Sequence, residues 1–200
     1  MPNVKIVFIL LFAYLLGSIS FGYIVAKRWA SIDIRQYGSG NIGMTNIWRV
    51  MGWQAGMLVF IGDAGKGVLA AWLGKYFGGD TLAVMAGFAV MAGHTYPLFL
   101  NFKGGKAVAT GVGVLGALSI KVTLFALALW LVTVGVTKYV SLASILAAVS
   151  VPMLLFALDN PLPHLLFGII GAAFVIYKHI PNIKRLRDGT EYKIGQKVKK

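Results

Sequence analysis

The chain alternates long uncharged apolar runs with short segments in which glycine and charge are concentrated. A helix needs about 20 apolar residues to cross a hydrocarbon layer about 30 Å thick, so runs of that length predict membrane spans. Ile6 to Ala26 has no charge, and it is too long, and lacks a small-residue cleavage site, to be a removable leader. Thr81 to Leu100, Tyr139 to Leu158 and Pro161 to Tyr177 qualify in the same way. Val50 to Gly74 is apolar except for Asp63 and Lys66, whose spacing puts them on one helical face, which predicts a span carrying an internal ion pair. A structural pair that fixes helix packing is preferred there over a ligand role.

Ala107 to Thr137 would measure about 46 Å as one helix, well beyond the hydrocarbon thickness. Lys121 divides it, and two short helices turning at Ser119 to Lys121 fit better. The expectation is an all-α polytopic membrane protein with seven transmembrane helices, residues 1–200 forming one integral-membrane domain. A five-span variant in which 107–137 is re-entrant has the same parity and stays open.

Composition agrees and adds a sidedness. Hydrophobic residues make up 58% of the chain and charged ones 12%, and the mean hydropathy is +0.78, which excludes an ordinary cytosolic enzyme. Lys and Arg number 19 against 6 Asp and Glu, a formal charge of +13. With the N-terminus outside and seven spans, only Lys5, Lys75 and Lys121 are external and Lys66 is in the membrane. The other bases, including Lys178, Lys184, Arg185, Arg187, Lys193, Lys197, Lys199 and Lys200 in the tail, are cytoplasmic, as the positive-inside rule requires. A single span over 107–137 would put that tail outside and is rejected. The absence of cysteine excludes thiolate chemistry and disulfide scaffolds. With three His and six acids, no metal site or other cofactor is expected. Neither a nucleic-acid partner nor an obligate protein partner is expected.

Three polar segments emerge on the same side by this parity. The first, 38–49, holds Gly38, Ser39, Gly40, Asn41, Thr45, Asn46 and Arg49. Glycines let backbone N–H groups approach an anion, and the short polar side chains and Arg49 add donors. A phosphate cradle and an interfacial turn with a snorkelling arginine both fit this segment taken alone. The second, 93–110, runs from Gly93-His94 through Lys103-Gly104-Gly105-Lys106 to Thr110 as a helix begins. Free N–H groups, the helix dipole and two ammonium groups all favour an anion there. It is not a Walker A loop, because Leu100 and Ala107 occupy the positions of the required glycine and hydroxyl residue, so nucleotide hydrolysis has no support. The third, 179–191, closes the last span with His179, Asn182 and Glu191. His179 suits donation to a phosphate or proton transfer, or capping of the last helical carbonyls, and Glu191 suits pairing with a neighbouring base. Lys184, Arg185 and Arg187 read as lipid-facing charge, and His164, near the outer face, has no assigned role.

Taken together, Gly-Ser-Gly-Asn-Ile-Gly-x-Thr-Asn-x-x-Arg (38–49), Gly-His-x-x-Pro-x-Phe-x-x-Phe-Lys-Gly-Gly-Lys-x-Val-Ala-Thr (93–110) and His-x-x-Asn-Ile-x-Arg-Leu-x-x-Gly-x-Glu (179–191) resemble the three signature segments of the bacterial acyl-phosphate:glycerol-3-phosphate acyltransferase (PlsY) family, over essentially the whole chain. The resemblance implies an enzyme of phospholipid biosynthesis in the bacterial cytoplasmic membrane, its site facing the cytoplasm. It would transfer a fatty acyl group from acyl phosphate to the sn-1 hydroxyl of glycerol 3-phosphate, giving lysophosphatidic acid and phosphate. Ser39, Arg49, Lys106, His179 and Asn182 are then the expected catalytic residues. Gly38, Gly40, Asn41, Thr45, Asn46, Lys103, Gly104, Gly105 and Thr110 are the expected substrate-binding residues, the Gly104 and Gly105 amides holding phosphate.

The residues also limit the mechanism. No His-x4-Asp dyad exists, since His94, His164 and His179 are followed five positions on by Phe99, Ile169 and Lys184. Ser39 is flanked by Tyr37 and Asn41 where a nucleophile elbow needs glycines, which disfavours an acyl-serine. Direct transfer is expected, with the proton taken by His179 or by a substrate phosphate oxygen. A small-anion or phosphate-ester carrier is the alternative class, although no inverted repeat of broken helices is visible. A membrane scaffold leaves the loop glycines unexplained.

Overall fold

The computed structural model describes residues 2–196, with side chains from residue 4 onward, and those residues contain helices, turns and no strand. Lys197, Lys199 and Lys200 of the basic tail lie outside the described residues. Val4–Ala30, Trp53–Leu100, Ile120–Thr137 and Val140–Ala157 are long and apolar enough to cross a bilayer, and Leu162–Lys178 with Ile180–Arg187 qualifies as a pair bent by 57°. Large apolar side chains such as Phe8, Leu11, Val136, Phe156 and Ile169 are more than half exposed. That much apolar surface belongs against lipid. The described residues divide into two compact units, 2–114 and 115–196.

In the first unit, α1 (Pro2–Ser18) and α2 (Phe21–Ala30) are separated by a break at Ile19–Ser20, where Ser20 caps α2 by accepting from the Tyr23 N–H. The single helix expected over Ile6 to Ala26 is therefore two. The reason lies far along the chain: Lys66 takes up the Gly17 and Ile19 carbonyls that the break frees from helical pairing. After α2, Asp33 caps a short 3-10 turn at Ile34–Gln36 and pairs with Arg35 at 2.7 Å. α3 (Met44–Met51) leads into α4 (Trp53–Thr95), in which Gly78 and Gly79 leave the helical region. The Gly79 φ of 68° suits a residue without Cβ. The chain doubles back there, bringing the Leu82 and Ala83 backbone against Gly74, so α4 is two antiparallel arms, 53–77 and 80–95. Glycines set the spacing of the neighbours. Gly17 and Gly93 interlock α1 with the second arm, Phe21 lies on Gly62 of the first, and Gly67 abuts the Thr110 carbonyl at the start of α5 (Val108–Leu118).

The stretch 107–137 is two helices, as the sequence predicts: α5 ends at Leu118 and α6 (Ile120–Thr137) starts after the N-cap Ser119. In the second unit, α6 pairs with α7 (Val140–Ala157), with the Trp130 indole N–H donating to Ser144 Oγ. α8 (Leu162–Lys178) packs on α7 where Gly168 admits Leu155 and Pro152. At His179 the chain bends into α9 (Ile180–Arg187), and the tail returns so that the Ile194 N–H donates to the Lys138 carbonyl.

Candidate active site

Segments 38–49 and 93–110 belong to the first unit and 179–191 to the second. Segment 38–49 rests on an apolar cluster of Val25, Ala26, Ile34, Ile42, Ile47, Ala55 and Val59. Gly38 (φ 61°) and Gly40 (φ 71°) take left-handed conformations that lift Ser39 to an exposed position at the turn. The turn is held from below by Asn46, which is only 2% exposed. Its Oδ1 accepts from the Ser39 N–H at 2.8 Å, and its Nδ2 donates to the Tyr37 and Asn41 carbonyls at 3.0 and 2.8 Å. Both amide hydrogens of Asn46 are thus used inside the loop, which makes it a support for Ser39. Asn41 accepts from the Gly43 N–H at 2.8 Å in a local turn. Thr45 and Arg49 are half-buried on α3.

In segment 93–110 the Gly104 N–H donates to the Thr95 carbonyl and the Gly105 N–H to the His94 carbonyl, each at 3.1 Å. These two amides close the loop onto the end of α4. A Cβ at Gly104 would fall on the His94 and Thr95 carbonyls, and one at Gly105 on the His94 ring. The paired glycines are needed for close approach. Thr110 is fully buried in the first turn of α5. Lys103 is exposed and Lys106 half-buried.

Behind that loop lies a buried polar cluster in the apolar interior of the first unit. Lys66 Nζ is 2.8 Å from Asp63 Oδ1, which establishes the expected ion pair. It also donates to the Gly17 and Ile19 carbonyls at 3.0 and 2.8 Å, and lies 3.0 Å from His94 Nδ1. The sequence reading found the pair and missed His94 as its third member. The missing signal is distance along the chain: nothing in the spacing from Lys66 to His94 reveals that α4 folds back between them.

In the second unit, His179 is 3% exposed and its Nδ1 lies 2.8 Å from the Val175 carbonyl. A carbonyl can only accept, so Nδ1 carries hydrogen. Asn182 donates from Nδ2 to Glu191 Oε1 at 2.6 Å, and Arg185 Nε donates to Glu191 Oε2 at 2.6 Å. The pairing expected of Glu191 therefore exists, and it orients Asn182 as well. Burial opposes the charged form of Glu191, but the donors from Asn182 and Arg185 outweigh it and hold the carboxyl below its ordinary value.

The glycerol-3-phosphate acyltransferase family profile matches residues 7–189. The chain belongs to that family. Glycerol-3-phosphate acyltransferases of Desulforamulus reducens and Carboxydothermus hydrogenoformans are 50% and 49% identical to it, over 98% and 92% of this chain and 99% and 94% of theirs. It is also similar to two crystal structures of PlsY (YgiH), an integral membrane glycerol 3-phosphate acyltransferase. The glycerol 3-phosphate form superposes with a TM-score of 0.92 and the lysophosphatidic acid form with 0.90, each at 42% identity and covering 96% of both chains. For this acyltransferase the helical fold and its apolar exterior accordingly mean an integral membrane protein, and phospholipid synthesis is the setting the family supplies.

Proposed function

We propose that this acyltransferase moves a fatty acyl group from acyl phosphate to the sn-1 hydroxyl of glycerol 3-phosphate, releasing phosphate and lysophosphatidic acid. The observation that carries the reading is the full-length likeness to an acyltransferase crystallised in glycerol 3-phosphate and lysophosphatidic acid forms. Those two molecules differ by the acyl group that such a transfer would add. An acyl-phosphate donor fits a chain without cysteine, without a His-x4-Asp dyad and without a nucleophile elbow. A mixed anhydride carries its own good leaving group, so positioning and charge neutralisation contribute more than a strong base.

In this reading Ser39, Arg49, Lys103 and Lys106 bind phosphate groups, with Gly38, Gly40 and Asn41 shaping the turn beneath Ser39 and Thr45 beside it. His179 and Asn182 orient glycerol 3-phosphate. The attacking hydroxyl oxygen bonds to the acyl carbon, the anhydride C–O bond breaks, and its electron pair leaves on phosphate. The hydroxyl proton passes to a phosphate oxygen or to His179. The same reading takes seven spans with the N-terminus outside and the site facing the cytoplasm of a bacterial inner membrane. Purified protein in lipid, supplied with glycerol 3-phosphate and either acyl phosphate or an acyl thioester, tests the donor. Lysophosphatidic acid should form from acyl phosphate alone, and equal use of the thioester would overturn the assignment. A C-terminal reporter accessible only from the cytoplasm tests the orientation.

A further inference from the structure

Lys66 and Asp63 lie in the apolar interior of the first unit, where charge is costly and apolar residues of similar size would pack well. Their partners suggest why charge is there. An ammonium group has three hydrogens and only donates, and those of Lys66 meet the Gly17 carbonyl, the Ile19 carbonyl and His94 Nδ1, with Asp63 as counter-ion. With Lys66 donating to it, His94 Nδ1 is an acceptor; the same nitrogen lies 3.4 Å from Asp63 Oδ1, so the ion pair as a whole fixes the ring's orientation. Its Nε2 edge packs on the Cα of Gly105. The His94 carbonyl takes the Gly105 N–H, and the next carbonyl, of Thr95, takes that of Gly104. Lys106 follows directly.

We infer that Lys66, held by Asp63 and acting through His94, is a positioning residue that sets the Gly104-Gly105-Lys106 loop for phosphate binding. The inference rests on the proposed role of Lys106. A packing role for the ion pair predicts that apolar replacement of both partners is harmless. A positioning role predicts that the same replacement leaves the fold intact and the loop loose, because His94 loses its donor.

The test compares Asp63→Leu/Lys66→Met, His94→Gln and His94→Phe with the wild-type protein in lipid. The readouts are melting temperature, amide exchange at residues 103–106 and at 39–43, and KM and kcat for glycerol 3-phosphate-dependent phosphate release from acyl phosphate. The double variant should melt within a few degrees of wild type yet exchange at Gly104 and Gly105 at least about tenfold faster, with 39–43 unchanged. Its kcat/KM should fall about tenfold or more. His94→Gln, whose carbonyl can still accept from Lys66, should recover slow exchange and most activity, and His94→Phe should not. Wild-type exchange and kcat/KM in a well-folded double variant would overturn the inference, as would His94→Phe matching His94→Gln. If the double variant fails to fold, the contrast between the two His94 variants decides. If the wild-type protein releases no phosphate from acyl phosphate, the functional reading fails while the exchange measurement still decides whether Lys66 positions the loop.

Discussion

Replacing Asn46 by alanine should dismantle the turn that presents Ser39 while sparing the helix that carries Asn46. The side chain makes three hydrogen bonds, to the Ser39 N–H and to the Tyr37 and Asn41 carbonyls. Tyr37 O also accepts from the Gly40 N–H and keeps a partner after the substitution. The Ser39 N–H and the Asn41 carbonyl lose theirs. At about 1–3 kcal/mol for each polar group left unsatisfied, with partial relief from water at this exposed turn, the loop should be destabilised by about 2–4 kcal/mol. Alanine is favoured within α3 by a few tenths of a kcal/mol, so helix propensity does not add to the loss. At about 1.4 kcal/mol per factor of ten, the ratio of ordered to disordered turn should fall roughly 30-fold to 1,000-fold, and kcat/KM should fall with the ordered fraction wherever Ser39 must be in place. Amide exchange at 37–43 and steady-state turnover on the same preparation measure both quantities. Asn46→Asp should be at least as damaging, since it keeps the acceptor for Ser39 but points a charged oxygen at two carbonyls. Unchanged exchange with a raised KM would refute the scaffolding argument and place Asn46 among the substrate contacts.

Other consequences are as direct. Gly105→Ala should lower activity more than tenfold and speed exchange at Gly104, because the added Cβ meets a His94 ring that Lys66 holds in place; wild-type rates would show that the ring yields. Glu191 has a folded-state pKa below the 4.5 of an ordinary glutamate, so its stabilising contribution is present above that value and is lost as pH falls through the lower folded one. Cleavage of residues 188–196 by an acid-active protease should therefore rise progressively as pH falls below 4.5, and Glu191→Gln should be cleaved readily at neutral pH without a further step. Arg49→Lys should lose most activity, since bidentate phosphate recognition needs the planar guanidinium. If a phosphate oxygen takes the proton, His179→Gln should retain turnover within about tenfold, whereas a loss of about a thousandfold in kcat with an unchanged KM for glycerol 3-phosphate would assign the base to His179.

The apolar runs that became α4, α7 and α8, and the division of 107–137 at Ser119, were readable because hydrocarbon thickness limits how far an uncharged helix can extend. The break at Ile19–Ser20 was not, because Ile6 to Ala26 has no internal charge, glycine pair or proline to announce it. Its cause is an ammonium group supplied from α4. The candidate site divides in the same way. Ser39, Arg49, Lys106, His179 and Asn182 stood out because charge and small polar groups are conspicuous against oil. The glycines carry a second demand that only the fold reveals: Gly104 and Gly105 look like anion-binding amides in sequence, and the folded chain also packs them closely on the His94 and Thr95 carbonyls. Likewise Asn46 reads as one more donor, and burial makes it the support of its own loop.

The central claim is a direct acyl transfer between two phosphate-bearing substrates. Its most direct test is the stoichiometry of phosphate and lysophosphatidic acid produced by the purified protein in lipid, with each substrate supplied alone and then both together. The account predicts one phosphate released per lysophosphatidic acid formed, and neither product when glycerol 3-phosphate or acyl phosphate is omitted. Uptake of glycerol 3-phosphate into vesicles with no lysophosphatidic acid formed, or a burst of phosphate from acyl phosphate alone, would contradict it.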